Sequence, residues 1–171
     1  MNLKNAYEIG CKLQDDFSPH CSKCCIAGSV RRGKPEVKDI EIVACPDPSR
    51  YADFLAALRR YPIMKGKPTI EARYLRLRLL QIETDVFITT PARWGWILTL
   101  RTGSSDFNLA LLEALRRHGV TSKDGVLWRD GNAIPTPEEA DVFALAGVEF
   151  VRPEDRNESY TFNQKQHEYK M

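Results

Sequence analysis

The 171-residue chain has no apolar run near the roughly 20 residues that a membrane-spanning helix needs, and no amino-terminal apolar core of a secretory signal. Those absences argue for a soluble, intracellular, cytoplasmic protein with no membrane partner. There is no internal repeat and no long linker, which excludes a repeat architecture. An excess of one charge is missing too: 25 Lys and Arg face 23 Asp and Glu, a formal net charge of +2, so bulk electrostatics neither demands nor forbids nucleic acid. Histidine is scarce, with three in all. The five cysteines (Cys11, Cys21, Cys24, Cys25 and Cys45) are odd in number and confined to the first part of the chain, unlike a secreted disulfide framework. Cys21-x-x-Cys24 beside His20 has a zinc-like spacing, but no second ligand pair follows, and His118 and His167 stand alone. Reduced, partly buried thiols are the expectation.

The chemistry concentrates in two short stretches. Ala27-Gly28-Ser29-Val30-Arg31-Arg32-Gly33 is a small-residue turn carrying a hydroxyl and two guanidiniums. Asp39-Ile40-Glu41 follows inside an apolar run, and residues two apart on a strand share a face. Two carboxylates with one outlook in apolar surroundings repel unless a cation lies between them. The turn offers backbone amides and the Ser29 hydroxyl to a phosphate, and Arg32 offers a fork that fits phosphate oxygens. Cations beside a phosphate cradle imply phosphoryl or nucleotidyl transfer.

Local patterns predict an α+β chain. A helix is expected over 3–17, ended by Ser18-Pro19, then a strand into the Gly-Ser turn and a strand over 38–44. Asp47-Pro48 predicts a capped helix with Tyr51, Phe54, Leu55 and Leu58 as its apolar stripe. Strands are expected over about 69–80, 84–90 and 94–101, the first alternating Tyr74, Arg76 and Arg78 with Leu75, Leu77 and Leu79. A helix follows over 105–117, and Thr136-Pro137-Glu138-Glu139 reads as a capping box opening a helix to about 145. The end of the chain, 157–171, is polar and expected to be frayed or disordered. Trp94, Trp96 and Trp128 suit packing more than base stacking.

Gly28-Ser29-x-Arg31-Arg32-Gly33 with Asp39-x-Glu41 resembles the signature of the family X (polymerase β-like) DNA polymerases. Asp85 within Glu83-Thr84-Asp85-Val86, then Thr102-Gly103-Ser104 with Phe107-Asn108, and finally 141–156 fit that family's later motifs in order. The resemblance implies a nucleotidyltransferase palm over 1–102, a mixed sheet backed by helices, and a small thumb-like α+β lobe over 103–156. It is similar in layout to the compact viral member of the family from African swine fever virus, with nothing before the Gly-Ser turn that matches the amino-terminal lyase module of larger members.

The resemblance further implies two-metal transfer of a nucleotide to a primer 3′-hydroxyl, with gap-filling or repair-like DNA synthesis by a monomer. Asp39, Glu41 and Asp85 would ligate two Mg²⁺ ions, or Mn²⁺. Gly28, Ser29 and Arg32 would hold the nucleoside triphosphate's phosphates, and Thr102, Gly103, Ser104 and Asn108 would frame its sugar and base, with the Gly103–Ser104 bond cis. Arg31 would serve structure. Lys65, Lys67, Arg101, Arg116 and Arg117 are the candidate contacts to primer-template or gapped DNA. Glu41 departs from the family's usual second Asp, and Leu100 and Arg101 stand where aromatic residues commonly precede the turn. The alternatives are a template-independent, protein- or small-molecule-modifying nucleotidyltransferase, and a non-catalytic DNA-binding remnant.

Overall fold

Apolar residues spaced along one helix face and alternating along the strands account for the first of two units in the computed structural model, which describes residues 1–162. This unit is Met1–Pro91. Helix α1 (Leu3–Phe17) is capped by Asn2, whose side-chain oxygen accepts from the Asn5 amide at 2.9 Å. Its stripe Ala6, Gly10, Leu13 and Phe17 is buried. A Cβ on Gly10 would lie 3.0 Å from Ile26, so glycine lets the helix approach the sheet closely. Strand β1 (Cys21–Ala27) runs into a single-turn helix, α2 (Gly28–Arg31), and then come β2 (Ile40–Pro46), α3 (Tyr51–Leu58), β3 (Ile63–Lys65), β4 (Tyr74–Leu79) and β5 (Ile82–Ile88).

The strands form one sheet in the order β1-β2-β5-β4-β3. Only β2 and β5 are parallel; the other neighbours are antiparallel. One set of alternate residues, including Ile40, Ile42, Leu75, Leu77 and Val86, is wholly buried with Leu13, Phe17, Phe54 and Leu58 of α1 and α3. Burying that face is the main stabilising term of the unit, at roughly 25 cal/mol per Å² of apolar area.

Two expectations shift here. The strand expected from residue 69 begins at Tyr74, because Gly66 takes φ +85° and the Ala72 amide closes a turn on the Thr69 carbonyl. Asp47 caps a 3₁₀ turn, Pro48–Arg50, ahead of α3.

The second unit begins at Ala92. The segment expected as a strand over 94–101 is instead helix α4 (Trp94–Thr102). Short apolar runs suit either form, and packing decided. A Cβ on Gly95 would meet the Glu138 carbonyl oxygen at 2.1 Å, and the Gly95 amide donates to the Thr136 carbonyl at 2.7 Å. Trp94 and Trp96 are buried, and the Trp96 indole donates to the Ser122 hydroxyl at 3.2 Å. Helix α5 (Ser105–Arg117) follows, then a three-stranded antiparallel sheet of β6 (Thr121–Lys123), β7 (Val126–Arg129) and β8 (Asn132–Ile134), and helix α6 (Glu139–Leu145). The capping box exists two residues later than expected: Glu138 and Asp141 exchange it, while Thr136 is buried and accepts from the Trp96 amide.

The chain beyond Asn157 is not uniformly polar fray. Tyr160 and Phe162 pack on Phe107, with ring centroids 5.2 and 5.6 Å apart; residues 163–171 lie outside the described residues. Among the described residues, no helix is long and apolar enough to cross a membrane.

An ion pair sits inside this second core. Arg156 is 0% exposed, and its guanidinium donates to both Glu139 carboxylate oxygens (2.6 and 3.4 Å) and to the Val151 carbonyl. Phe143 and Phe150 lie against the guanidinium at 5.1 and 5.4 Å. Removing one partner leaves a buried charge, so Arg156→Met is expected to destabilise the protein by about 3–5 kcal/mol in urea denaturation. The double variant with Glu139→Gln should lose less than this single variant. A single-variant cost under about 1 kcal/mol would show that the pair is not a structural lock.

Candidate active site

Strand register builds the acidic part of the site. In the parallel β2–β5 pair, Glu41 is the partner of Asp85. Across the whole sheet the same row runs Ala27, Glu41, Asp85, Arg76 and Lys65, with one residue from each strand. Asp39 stands two residues before Glu41, at the entrance to β2, and is half-buried. The sheet therefore brings Glu41 and Asp85 side by side. It does not complete a ligand sphere: among the described residues, no three of the His, Cys, Asp or Glu side chains are grouped to hold one metal ion.

The partners of the carboxylates explain why. Arg76 binds Asp85 with both arms of its fork: Nε donates to Oδ1 at 2.8 Å and Nη2 to Oδ2 at 3.0 Å. The Tyr74 hydroxyl donates to Oδ1 at 2.7 Å. The third arm of Arg76 reaches Glu83 at 2.9 Å, and Arg78 also pairs with Glu83. Asp85, 7% exposed, is thus neutralised by a cation that belongs to the protein. Its hydrogen bond and charge push the Arg76 pKa above the ordinary guanidinium value. Burial first, and then the hydrogen bond to Asp85, push the Tyr74 phenol upward, so its O–H stays a donor at neutral pH. Sequence alternation places Tyr74, Arg76 and Arg78 on one face, but nothing local indicates that Arg76 closes on Asp85.

Glu41 turns toward the Gly-Ser turn. Gly28 sits at φ +61°, and a Cβ there would lie 2.0 Å from Glu41 Oε2. Both the backbone conformation and the carboxylate demand glycine. The turn closes on itself through the Arg32, Gly33 and Lys34 amides, which donate to Gly28, Val30 and Ser29 carbonyls at 3.0–3.1 Å. Val30 is buried and anchors the turn, while Ser29 and Arg32 are half-buried beside it.

The Thr102–Asn108 segment belongs to the second unit and is spent on holding itself. Thr102 is wholly buried, and Ser104 nearly so. The Ser104 hydroxyl accepts from the Phe107 amide at 3.1 Å as the cap of α5, and its own amide donates to the Arg156 carbonyl at 3.0 Å. The Asn108 amide donates to the Leu100 and Gly103 carbonyls at 2.8 and 3.4 Å. A Cβ on Gly103 would meet Asn108 Oδ1 at 2.4 Å. No cis peptide bond is found among the described residues; Gly103–Ser104 is trans, with Gly103 extended at φ −68°, ψ 150°. The cis turn expected from the resemblance is corrected here, and the Ser104 and Asn108 side chains serve the turn itself.

The cationic candidates lie on both units. Lys65 and Lys67 are exposed near the β3 edge, with the Lys65 ammonium 5.7 Å from the Tyr74 ring. Arg116 and Arg117 end α5 exposed, and Arg117 pairs with Glu113; Arg101 is half-buried on α4. All five cysteines are free thiols.

Comparison with known proteins bears on the second unit first. Residues 97–157 match the DNA polymerase beta thumb family. Over 163 residues the chain is 23% identical to DNA polymerase lambda of Rattus norvegicus, an alignment covering 78% of this chain and 28% of that protein. The chain thus carries a thumb-like segment similar to that of family X polymerases within a mixed α+β architecture, and is weakly similar to polymerase lambda. The matched region spans little more than a quarter of that relative.

Substituting Gly28 tests the turn. Gly28→Ala puts a methyl into the Glu41 carboxylate at positive φ, and is expected to cost about 1–3 kcal/mol of stability, measured by thermal melting. Gly33→Ala has open space around its Cβ and should cost less, since only its φ of +74° is strained. Equal losses at the two positions would exclude the Glu41 contact as the cause.

Proposed function

We propose that this chain is a template-directed DNA polymerase that transfers a nucleotide from a nucleoside triphosphate to a primer 3′-hydroxyl. The observation that carries the reading is the Glu41–Asp85 register beside the Gly28–Arg32 turn. The thumb-like match over 97–157 favours a templated reaction over modification of a protein or small molecule.

The donor set of Asp39, Glu41 and Asp85 is all oxygen and anionic, which fits Mg²⁺ or Mn²⁺. These three residues would hold the ions, which when bound would acidify the 3′-hydroxyl and offset triphosphate charge. The protein's own groups supply the rest. The Ser29 hydroxyl and the Arg32 fork would orient phosphate oxygens, and a fork suits them better than a point charge. Lys65 and Lys67 on the first unit, and Arg116 and Arg117 on the second, would hold DNA backbone.

The engagement of Asp85 by Arg76 favours one second reading, a non-catalytic DNA-binding module. Primer extension separates the two. With Mg²⁺ and deoxynucleotides the wild type should lengthen a primer, and Asp85→Ala should lose at least about 10³-fold in rate while keeping its circular dichroism. Extension by Asp85→Ala at the wild-type rate would remove Asp85 from the site, and no extension by the wild type would support the non-catalytic module.

DNA binding should weaken as salt rises, because phosphate contacts release counterions. With Lys65, Lys67, Arg116 and Arg117 as the proposed phosphate contacts, a loss of about 10-fold or more between 50 and 200 mM salt is expected in fluorescence anisotropy. A flat salt dependence would argue against phosphate contacts.

A further inference from the structure

Asp85 has two carboxylate oxygens with about four lone-pair positions between them. Oδ1 accepts two hydrogen bonds, from Tyr74 and from Arg76 Nε, and is full. Oδ2 accepts one, from Arg76 Nη2. Among the described residues no other donor reaches this carboxylate, so one lone pair of Oδ2 is left. Two bonds from a planar fork also fix the plane of the carboxylate, which a single contact would leave free to rotate.

We propose that Arg76 and Tyr74 are the positioning residues of Asp85: they orient its carboxylate, saturate Oδ1 and leave Oδ2 as the one atom that works on the reaction. The inference rests on the polymerase reading, in which Asp85 is a metal ligand. It adds that Asp85 engages a cation through a single oxygen, and that Arg76 acts in two separable ways. Its charge opposes a second cation at the carboxylate, and its fork holds the carboxylate still. The neighbouring elements supply the rest of the local field: Glu83 on β5, Arg78 on β4, Lys65 on β3 and Glu41 on β2. Glu83 shares the guanidinium with Asp85.

The test measures Mn²⁺ binding to the full chain by electron paramagnetic resonance, beside single-nucleotide turnover at saturating Mn²⁺. Arg76→Gln removes the opposing charge and frees lone pairs, so Mn²⁺ should bind about 3- to 10-fold more tightly. Turnover should nevertheless fall about 10-fold or more, because the carboxylate is no longer held. Arg76→Lys retains charge without the fork: affinity should stay within about 2-fold while turnover still falls. Tyr74→Phe frees only one lone pair on Oδ1, and should tighten Mn²⁺ binding by less than Arg76→Gln.

An arginine with a purely structural role would lower the melting temperature of these variants and leave Mn²⁺ affinity alone. Wild-type affinity in folded Arg76→Gln therefore overturns the proposal. If that variant does not fold, unchanged affinity and turnover in Tyr74→Phe overturn it. Asp85→Asn keeps the two failures apart. If Asp85→Asn binds Mn²⁺ as the wild type does, or the wild type binds none, the metal-ligand reading fails and the inference with it. If Asp85→Asn loses Mn²⁺ and the Arg76 and Tyr74 variants match wild type, only the inference fails.

Discussion

Two carboxylates placed side by side on adjacent strands set the central constraint of the first unit. Glu41 and Asp85 are partners in the parallel β2–β5 pair, and like charges at that spacing are unfavourable without a counter-charge. The sheet supplies one from the next strand, where Arg76 is the partner of Asp85 and closes a bidentate fork on it. Along the row two carboxylates, Glu41 and Asp85, are thus followed by two cations, Arg76 and Lys65, and Glu83 shares the Arg76 guanidinium. The opposite face of the same strands is apolar apart from the buried Thr84, and its residues pack with those of α1 and α3. A polar face of this kind persists only because the apolar face supplies the stability.

The two units use the same pair of residue types for different ends. Arg156 and Glu139 are buried on all sides, with aromatic rings against the guanidinium, and they tie the end of the described chain to α6 and, through the Arg156 carbonyl, to Ser104. That pair fixes where the Thr102–Ser104 turn sits within its unit. Arg76 and Asp85 lie at the sheet face, with the Arg76 side chain about a third exposed, so solvent and other ions can reach them. A buried pair is costly to separate, whereas a pair at a face can exchange partners. The contrast makes one a lock and, on the proposed reading, the other a holder for a working group.

Much of the architecture was legible locally. Residue alternation in 74–79, the extent of α1, the helix after the Thr-Gly-Ser turn and the Gly-Ser turn after a strand all lie within a few residues of their causes. Trp94-Gly95-Trp96-Ile97-Leu98 carries no period of its own, so local pattern points to a strand where helix α4 forms. Its form follows from the close approach of Gly95 to the Glu138 carbonyl, more than forty residues away. The capping residue of α6 moved for the same reason, since Thr136 is used to receive the Trp96 amide.

By itself the sequence determined where the candidate residues of the proposed chemistry stand: Ser29 and Arg32 on a glycine-bounded turn, Asp39 and Glu41 two apart, and Asp85 on a later strand. It also determined the α+β class, through periodicities that need only neighbouring residues. Tertiary structure alone decided that Asp85 meets Glu41 in register, that Glu41 rests on Gly28, and that Arg76 rather than a third carboxylate is Asp85's direct partner. The physical reason is the range of the interaction. Periodicity and capping act over one helical turn, whereas strand register and ion pairing join residues whose distance along the chain carries no signal until the sheet has formed.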